Sequence, residues 1–147
     1  MLVNNVEAFD PRKGKVWKAS DRELIDTVNA NTFPVVFMCR FLGPDMKERE
    51  AKSAIINMTS YYSSRPRYNL PIFSAGKGMQ DTFSQILGYE NQDMDILTVK
   101  GLPVKSHRNP RGVEAEDLVE GVFKDLGQEK ISYGHWKHSL YRYRYLA

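Results

Sequence analysis

The sequence predicts an α/β or α+β fold in which about four helices pack on one sheet of three to five strands. Two observations predict this fold. Patterns with the spacing of amphipathic helices alternate with short apolar runs that are typical of buried strands. The 10 glycines and 7 prolines are spread along the chain as turn residues, and no linker divides it. Helical segments between strands favour a sheet with helices packed on it.

The length of the chain predicts one domain. A chain of 147 residues is long enough to bury a sizeable core without a disulfide or a metal. We therefore predict a single domain over residues 1–147. Within it, residues 1–18 form an N-terminal arm that is irregular or a short strand, and residues 131–147 form an aromatic and basic C-terminal tail.

The first half of the chain predicts two helices around one strand. Ser20 and Glu23 form an S-x-x-E capping box, so a helix begins there and ends near residues 29–31. Residues 33–41 are an almost unbroken apolar run rich in β-branched and aromatic side chains, which predicts a buried strand. Residues 46–62 carry small and apolar side chains at helical spacing, which predicts the second helix.

The second half of the chain continues the alternation. The clearest helix has a regular apolar stripe, acidic residues in its first turn, and Gly127 at its end. The predicted elements are, in order, a strand (68–73), a glycine-rich loop (74–78), a helix (79–88), a strand (94–99), an irregular loop (101–112), that clearest helix (113–126) and a strand (141–145).

Several classes of protein are disfavoured by composition. The single cysteine, Cys39, cannot close a disulfide within the chain. No apolar run approaches the roughly 20 residues of a membrane-spanning helix. The first residues lack the basic-then-apolar order of a secretory signal. We therefore predict a protein that is not secreted, has no membrane partner, and is cytoplasmic or, if viral, part of a virion.

Charge is unevenly distributed, although the net charge is only +3. Residues 96–112 hold four basic residues and no acid, residues 113–129 hold six acids and one lysine, and residues 130–147 hold four basic residues and no acid. Two interpretations stay open. The acidic helix neutralises basic loops of its own molecule, or the two signs form a surface that docks a partner.

The most distinctive feature is the aromatic and basic tail. As a strand, it would place three tyrosines on one face and two arginines on the other. Three interpretations stay open: packing on the core, a protein interface rich in Tyr, Trp and Arg, and stacking on nucleic-acid bases with arginines on phosphates. The predicted binding or interface residues of the tail and the basic loop are Trp136, Tyr141, Arg142, Tyr143, Arg144, Tyr145, Lys105, Arg108 and Arg111.

A second candidate site is the short glycine-rich segment Gly76, Lys77 and Gly78. If it lies between a strand and the start of a helix, its backbone N–H groups could bind an anion. It is not a nucleotide-binding P-loop, because Pro71 stands where the first glycine of that motif belongs and Gly78 stands where its hydroxyl belongs. Turn formation is the competing interpretation.

Metal and nucleophile chemistry find weak support in the sequence. Asp93 and Asp95 could share a strand face, but they stand where turn-capping carboxylates are common. Cys39 with two histidines could in principle bind zinc, but it lies in an apolar run where free cysteines are usually buried. We predict no metal and no cofactor.

No motif in the sequence identifies a family. The first functional hypothesis is a non-enzymatic assembly subunit, such as a viral or phage structural component, whose partners are copies of itself or another protein subunit. The second is a nucleic-acid-binding module that uses arginines for phosphates and tyrosines for stacking. The third is an enzyme of unrecognised type, with Asp81 beside residues 76–78, or Asp93 and Asp95 with Lys100.

Overall fold

The computed structural model describes residues 1–9, 16–107 and 109–144, and the side chains of residues 141–144 are outside that description. Within these residues four strands form one sheet, in the order β1 (Leu2–Asn4), β2 (Ala54–Met58), β3 (Asp95–Val99) and β4 (Ile131–Ser132). Four α-helices accompany them: α1 (Asp21–Lys47), α2 (Pro71–Glu90), α3 (Ala115–Asp125) and α4 (Trp136–Arg144). The predicted α/β fold is confirmed.

All neighbouring strands in the sheet are parallel, so α1, α2 and α3 each cross from one strand to the next, and α4 follows the last strand. Strand alternation creates a core on each face. Ile55 packs in the core that α1 and α2 cover, and its neighbour Ile56 packs in the core that α3 covers. The result is a sheet between two helical layers.

A chain of polar side chains runs through the sheet beneath α2. Asn4 Nδ2 donates to Asn57 Oδ1 at 2.7 Å, and Asn57 Nδ2 donates to Ser84 Oγ at 2.9 Å. Thr98 Oγ1 donates to the same Ser84 oxygen at 2.8 Å. These bonds join β1, β2 and β3 to one helix, and buried polar groups that find partners specify a register.

The predicted strand over residues 33–41 is wrong, because α1 continues through it from the capping box. The capping box itself is confirmed, with Ser20 Oγ accepting from the Glu23 backbone. Buried positions in α1 recur every four residues, at Thr27, Asn31, Val35 and Cys39. The run is apolar throughout because the opposite helix face carries exposed aromatic residues, which are Phe33, Phe37 and Phe41.

The predictions for residues 46–78 are also wrong. The helix predicted over 46–62 is replaced by the end of α1, strand β2 and a 3-10 turn (Tyr61–Ser63). The strand predicted over 68–73 and the loop over 74–78 lie largely in α2, which begins at Pro71. Proline is favoured in the first helical turn, where its missing N–H has no bond to lose. Gly88 does not end that helix, which continues to Glu90.

The later elements match better, except in the tail. The predicted strand over 94–99 and helix over 113–126 are confirmed within two residues at each end, and Gly127 follows the helix with a φ of +79°. The predicted strand over 141–145 is wrong through residue 144, because α4 occupies that segment. The period-two alternation of tyrosine and arginine therefore does not mark a strand here.

Among the described residues, no helix combines the length and the apolar character needed to cross a membrane. The division of the chain into one domain, an arm and a tail stays a prediction, as does its location in the cell.

Candidate functional site

The carboxyl ends of the parallel strands meet at one edge of the sheet, where the segments that follow β1, β2 and β3 surround a cavity of about 770 Å³. Ligands of parallel α/β proteins bind outside this edge. Most of its lining is apolar and comes from strand ends and from α3, including Ile56, Met58, Leu118, Val122 and Phe123. Hydroxyl groups enter from the turn after β2, at Thr59, Ser60 and Tyr62.

Beside the cavity, α2 buries a lysine. Lys77 is 1% exposed, and its Nζ donates to the Met58 carbonyl at 3.0 Å. Glu7, on the segment after β1, places Oε2 3.5 Å from the same nitrogen. Burial lowers the pKa of Lys77, and the Glu7 carboxylate opposes that shift. A buried ammonium with one carboxylate at the edge of a cavity is a feature of functional sites.

Asn31 fixes the segment that carries Glu7. Its Oδ1 accepts from the Ala8 N–H at 3.1 Å, and its Nδ2 donates to the Ala8 carbonyl at 2.6 Å and to the Thr27 carbonyl at 2.9 Å. Asn31 is fully buried. Its backbone is held by α2, where Gln80 Nε2 donates to the Asn31 carbonyl at 2.7 Å. One side chain of α1 thus holds the chain after β1 against the site.

Gly76 lets α1 and α2 approach each other at this point. A Cβ at Gly76 would lie 2.7 Å from the Cβ of Asn31, a distance at which one helix must move. The two helices could not keep their separation with a larger residue here. Gly76 therefore makes room for the Asn31 side chain between the two helices, and it does not form a turn.

Phe73 lies one helical turn before Lys77 and separates it from part of the cavity. The Phe73 ring centroid is 5.7 Å from Lys77 Nζ, and the ring is stacked on Phe9 with centroids 4.4 Å apart. Phe73 is 2% exposed, whereas Phe9 is nearly half exposed. The aromatic side chain nearest the lysine has no hydroxyl group, so it cannot exchange a proton.

The turn after β2 is rigidly attached to β3. The Thr59 N–H and its Oγ1 both donate to the Val99 carbonyl, at 2.8 and 2.9 Å, and the Tyr61 N–H donates to the Gly101 carbonyl at 3.0 Å. Ser60 caps the 3-10 turn by accepting from the Tyr62 N–H at 3.2 Å. The hydroxyl groups of the cavity therefore occupy fixed positions.

A buried ion pair contacts the turn after β2 and helps to hold it in place. Lys100 Nζ lies 2.8 Å from Asp81 Oδ2 and 3.0 Å from Ser64 Oγ. Ser63 Oγ donates to the same Asp81 oxygen at 3.0 Å. The pair joins α2 to the end of β3 and to the turn after β2. The third hypothesis named Asp81 and Lys100 in separate sites, and the structure brings these two together.

Other predicted site residues are not brought together. Asp93 and Asp95 lie at the opposite end of β3 from Lys100, and each faces a lysine: Lys47 at 3.4 Å for Asp93, and Lys52 at 2.9 Å for Asp95. No group of three potential metal ligands occurs among the described residues. Cys39 is buried in the core, and burial raises the pKa of its thiol.

Residues 76–78 lie inside α2 rather than in a loop. The backbone N–H groups of a helix interior bond to carbonyls four residues earlier and are not free for an anion. Of the three residues, Gly76 faces Asn31 and Lys77 faces the site just described. Anion binding by Gly76, Lys77 and Gly78 stays a prediction, but the free backbone N–H groups on which it depended are bonded within the helix.

The predicted contact surface is scattered. Trp136 is exposed on α4, Arg111 is exposed in the loop before α3, and Lys105 forms an exposed ion pair with Glu114 that raises the lysine pKa. The residues outside the described part of the chain are Arg108 and Tyr145, and for Tyr141, Arg142, Tyr143 and Arg144 only the helical backbone is described. Their role in an interface stays a prediction.

The sequence contained signals for the site that the predictions missed. Phe73 and Lys77 stand four residues apart, which places them on one face of a helix. Ser60 follows a short, mostly apolar run over residues 54–58. A lysine on the inward side of an apolar helix stripe is unusual and could have marked the site. Asn31 gave no such signal, because its partner Ala8 is 23 residues away.

Comparison with known proteins identifies the family. Residues 1–103 match the short-chain dehydrogenase family, and the chain belongs to that family. Two relatives are the inactive hydroxysteroid dehydrogenase-like protein 1 of Homo sapiens, 30% identical, and the 17-beta-hydroxysteroid dehydrogenase type 3 of Danio rerio, 31% identical. Both alignments cover 95% of this chain, but only 46% and 49% of the relatives. The chain thus spans about half the length of the relatives it matches.

A solved structure agrees on the fold. The short-chain dehydrogenase from Burkholderia cenocepacia in complex with NADP superposes with a TM-score of 0.80 over 99% of this chain and 65% of that one. Sequence identity is 20%, so the likeness concerns the fold alone.

These comparisons correct the functional predictions. The prediction of a non-enzymatic assembly subunit, of viral or phage type, is wrong, because the chain belongs to a family of dehydrogenases with oxidoreductase relatives. The alternative prediction, a nucleic-acid-binding module, is wrong for the same reason. The third hypothesis, an enzyme, pointed in the right direction and named residues 76–78, but it named neither the family nor the partners of Lys77, which are Glu7 and Met58. Copies of itself or another protein as partners stay predictions.

Proposed function

We propose that this chain forms the substrate side of an oxidoreductase site that interconverts an alcohol and a ketone on a bulky apolar molecule such as a steroid. The observation that carries the proposal is the buried Lys77 ammonium beside a mostly apolar cavity at the carboxyl edge of a parallel sheet. Membership of the short-chain dehydrogenase family supports the reaction class. The name of the zebrafish relative supports a steroid as substrate.

The cavity suits such a substrate. Its volume of about 770 Å³ is within the range of pockets that bury small organic ligands. The wall formed by α3 presents apolar side chains to the body of the ligand, and Ser60 and Tyr62 offer hydroxyl groups to its oxygen. A few fixed polar groups in an apolar cavity orient a ligand.

The residues around the cavity fit the reacting end of a nicotinamide dinucleotide but not its pyrophosphate. A dinucleotide would supply the hydride chemistry when bound. The hydroxyl groups at the strand ends are suited to hold its reacting end beside the substrate, and Lys77 lies behind Glu7 and Phe73 at the same edge of the cavity. The sequence holds no G-x-G-x-x-G segment, the motif that binds the pyrophosphate at a helix N-terminus. The chain's own residues therefore account only for the reacting end.

Proton transfer defines the chemical task of the chain's side chains. Oxidation of an alcohol releases the hydroxyl proton, and reduction of a ketone consumes one. Phe73, the ring next to Lys77, offers none, so Ser60 or Tyr62 must give or accept the proton, directly or through water. A tyrosine at this position would place a phenol beside a cation, which lowers its pKa toward neutrality.

The test measures oxidation of reduced nicotinamide dinucleotide by the chain with a neutral ketosteroid. We expect slow turnover by the wild type and a rise of roughly 10²-fold or more in Phe73→Tyr, because a positioned acid contributes that much to rate. Lys77→Met should remove the gain when combined with Phe73→Tyr. Phe123→Tyr is the matched control, since it adds the same hydroxyl to the α3 side of the cavity.

Two results would contradict the proposal. The first is a rate in Phe73→Tyr no higher than in Phe123→Tyr. The second is a Phe73→Tyr rate that does not depend on Lys77. Either would mean that the lysine and the ring beside it are not where the substrate oxygen reacts.

A further inference from the structure

The charge of Lys77 has a single carboxylate partner among the described residues, and that partner is Glu7. The two charged atoms are 3.5 Å apart, with Lys77 1% exposed and the Glu7 side chain 45% exposed. Glu7 lines the cavity, whereas Lys77 lies behind it. The carboxylate therefore stands between a buried ammonium and the space where a ligand would lie.

Glu7 cannot easily leave this position, because the residues beside it are attached to both helices. Ala8 makes two backbone hydrogen bonds with the buried Asn31 side chain, and Phe9 stacks on Phe73. Three successive residues thus contact three different side chains of α1 and α2. These contacts hold the backbone of the segment, so the Glu7 side chain starts from a fixed position beside Lys77.

Among the described residues, the other charges that line the cavity are screened or paired. Lys105 is matched by Glu114 in an exposed pair. Arg67 is exposed, and its guanidinium lies over the Tyr62 ring, 5.4 Å from the centroid, with Nη1 donating to the Tyr62 hydroxyl at 3.2 Å. Water screens charges at such positions. The buried Lys77 is the cation whose field would be least screened.

We propose that Glu7 is a specificity-determining residue that neutralises Lys77 and thereby keeps the cavity selective for uncharged ligands over apolar anions. The inference rests on the proposed function, since it assumes that this cavity binds the substrate. Without the carboxylate, the buried ammonium would attract a carboxylate, sulfonate or sulfate group on an apolar ligand, because charge complementarity governs which partner a site accepts.

Two fluorescent probes of similar size separate charge from apolar character: anilinonaphthalene sulfonate, an anion, and phenylnaphthylamine, which is neutral. Binding of both to the chain is measured at pH 6, where Lys77 retains its proton more readily. In Glu7→Gln we expect the sulfonate to bind about tenfold more tightly and the neutral probe to bind as in the wild type. Glu114→Gln, which removes an equal charge from an exposed pair beside the cavity, should change neither affinity.

Two further variants guard against a folding defect in Glu7→Gln. The double variant Glu7→Gln/Lys77→Met removes both charges, a change that buried pairs often tolerate, and it should abolish the gain in sulfonate binding. Lys77→Met alone leaves the carboxylate uncompensated, so the sulfonate should bind several-fold more weakly than in the wild type while the neutral probe is unaffected.

The outcomes are distinguishable. Sulfonate affinity unchanged in both Glu7→Gln and Lys77→Met, with the neutral probe bound, would overturn the role of Glu7 and leave the cavity as a ligand site. An equal gain in Glu114→Gln would overturn it too, by assigning the effect to overall charge. Failure of every variant and the wild type to bind the neutral probe would overturn the proposed function itself.

Discussion

Phe73 and Lys77 share one face of α2. Both stand beside the cavity, but only the lysine side chain carries a group that can take part in acid–base chemistry. The lysine keeps the burial, the carbonyl partner and the carboxylate that a functional ammonium would need. The ring beside it offers only its face to that cation, a cation–π contact at 5.7 Å. A hydroxyl group on that ring would lie beside the ammonium, which would lower the pKa of the phenol.

His138 is a second residue with an unusual setting. It is 2% exposed on α4, and its Nδ1 lies 3.3 Å from the Leu102 N–H and 3.1 Å from the Tyr133 carbonyl. Burial lowers the pKa of His138 below its ordinary value of 6.5, and the nearby His135 lowers it further. The neutral ring joins α4 to the segment after β3 that lines the cavity.

This setting predicts a pH dependence of stability. Because the folded pKa of His138 lies below its unfolded value, the unfolded chain binds the proton first. The contribution of His138 is therefore fully present above pH 6.5 and is lost as the pH falls through the lowered folded pKa. Urea unfolding of His138→Gln should show a smaller loss between pH 7 and pH 5 than the wild type, whereas His107→Gln, an exposed control, should match the wild type.

At the scale of elements, the approach of α1 and α2 decides where the site residues lie. The two helices cover the same face of the sheet and meet where Gly76 faces Asn31. Asn31 in turn holds Ala8, so the spacing of two helices positions the segment after β1. The helix pair is therefore part of the site rather than only a support for it.

Alanine substitutions at two glycines of α2 distinguish the effect of this helix contact from the effect of helix propensity. Gly76→Ala should lower the free energy of unfolding by about 1–3 kcal/mol, because its methyl group would overlap the Asn31 side chain. Gly78→Ala should raise it by about 0.5–1 kcal/mol, because alanine is the better helix former and only the Ser63 carbonyl, at 3.7 Å, is near. Chemical denaturation measures both, and the same sign of change in both variants would contradict the account of this contact.

The elements also show what a single sequence can predict. The α3 helix was predictable because its apolar stripe is set in a charged background, and the capping box at Ser20 is a local signal. Within the α1 helix, residues 33–41 were mistaken for a strand because both faces of the helix are apolar there, one packed on the core and one exposed. Pro34 and Pro44, which normally argue against a helix, lie inside it.

The candidate site was less predictable than the fold, because its contacts are long-range. Lys77 was singled out, but as part of a loop. Its partners, Glu7 and Met58, lie 70 and 19 residues away along the chain and come close only when three parallel strands are side by side. No local pattern encodes such contacts, and the alternation of helices and strands predicts the edge where they meet without naming its residues.

At the scale of the whole molecule, the cavity at the carboxyl edge of the sheet has two dissimilar walls. The segments that follow the strands supply polar and charged groups such as Glu7 and Ser60, and α3 supplies an apolar surface that includes Val119 and Phe123, each about half exposed. Large apolar side chains left open beside a fixed polar edge mark a place for an apolar ligand.

The most direct measurement is therefore the equilibrium affinity of the chain for a neutral ketosteroid, in the wild type and in two variants. Phe123→Asp places a charge on the α3 wall of the cavity, and Phe41→Asp places the same charge on an exposed phenylalanine of α1 that does not line it. We predict binding by the wild type, a loss of about tenfold or more in Phe123→Asp, and no change in Phe41→Asp. Equal affinities in all three, or a loss in Phe41→Asp as large as in Phe123→Asp, would contradict the assignment of this cavity as the substrate site.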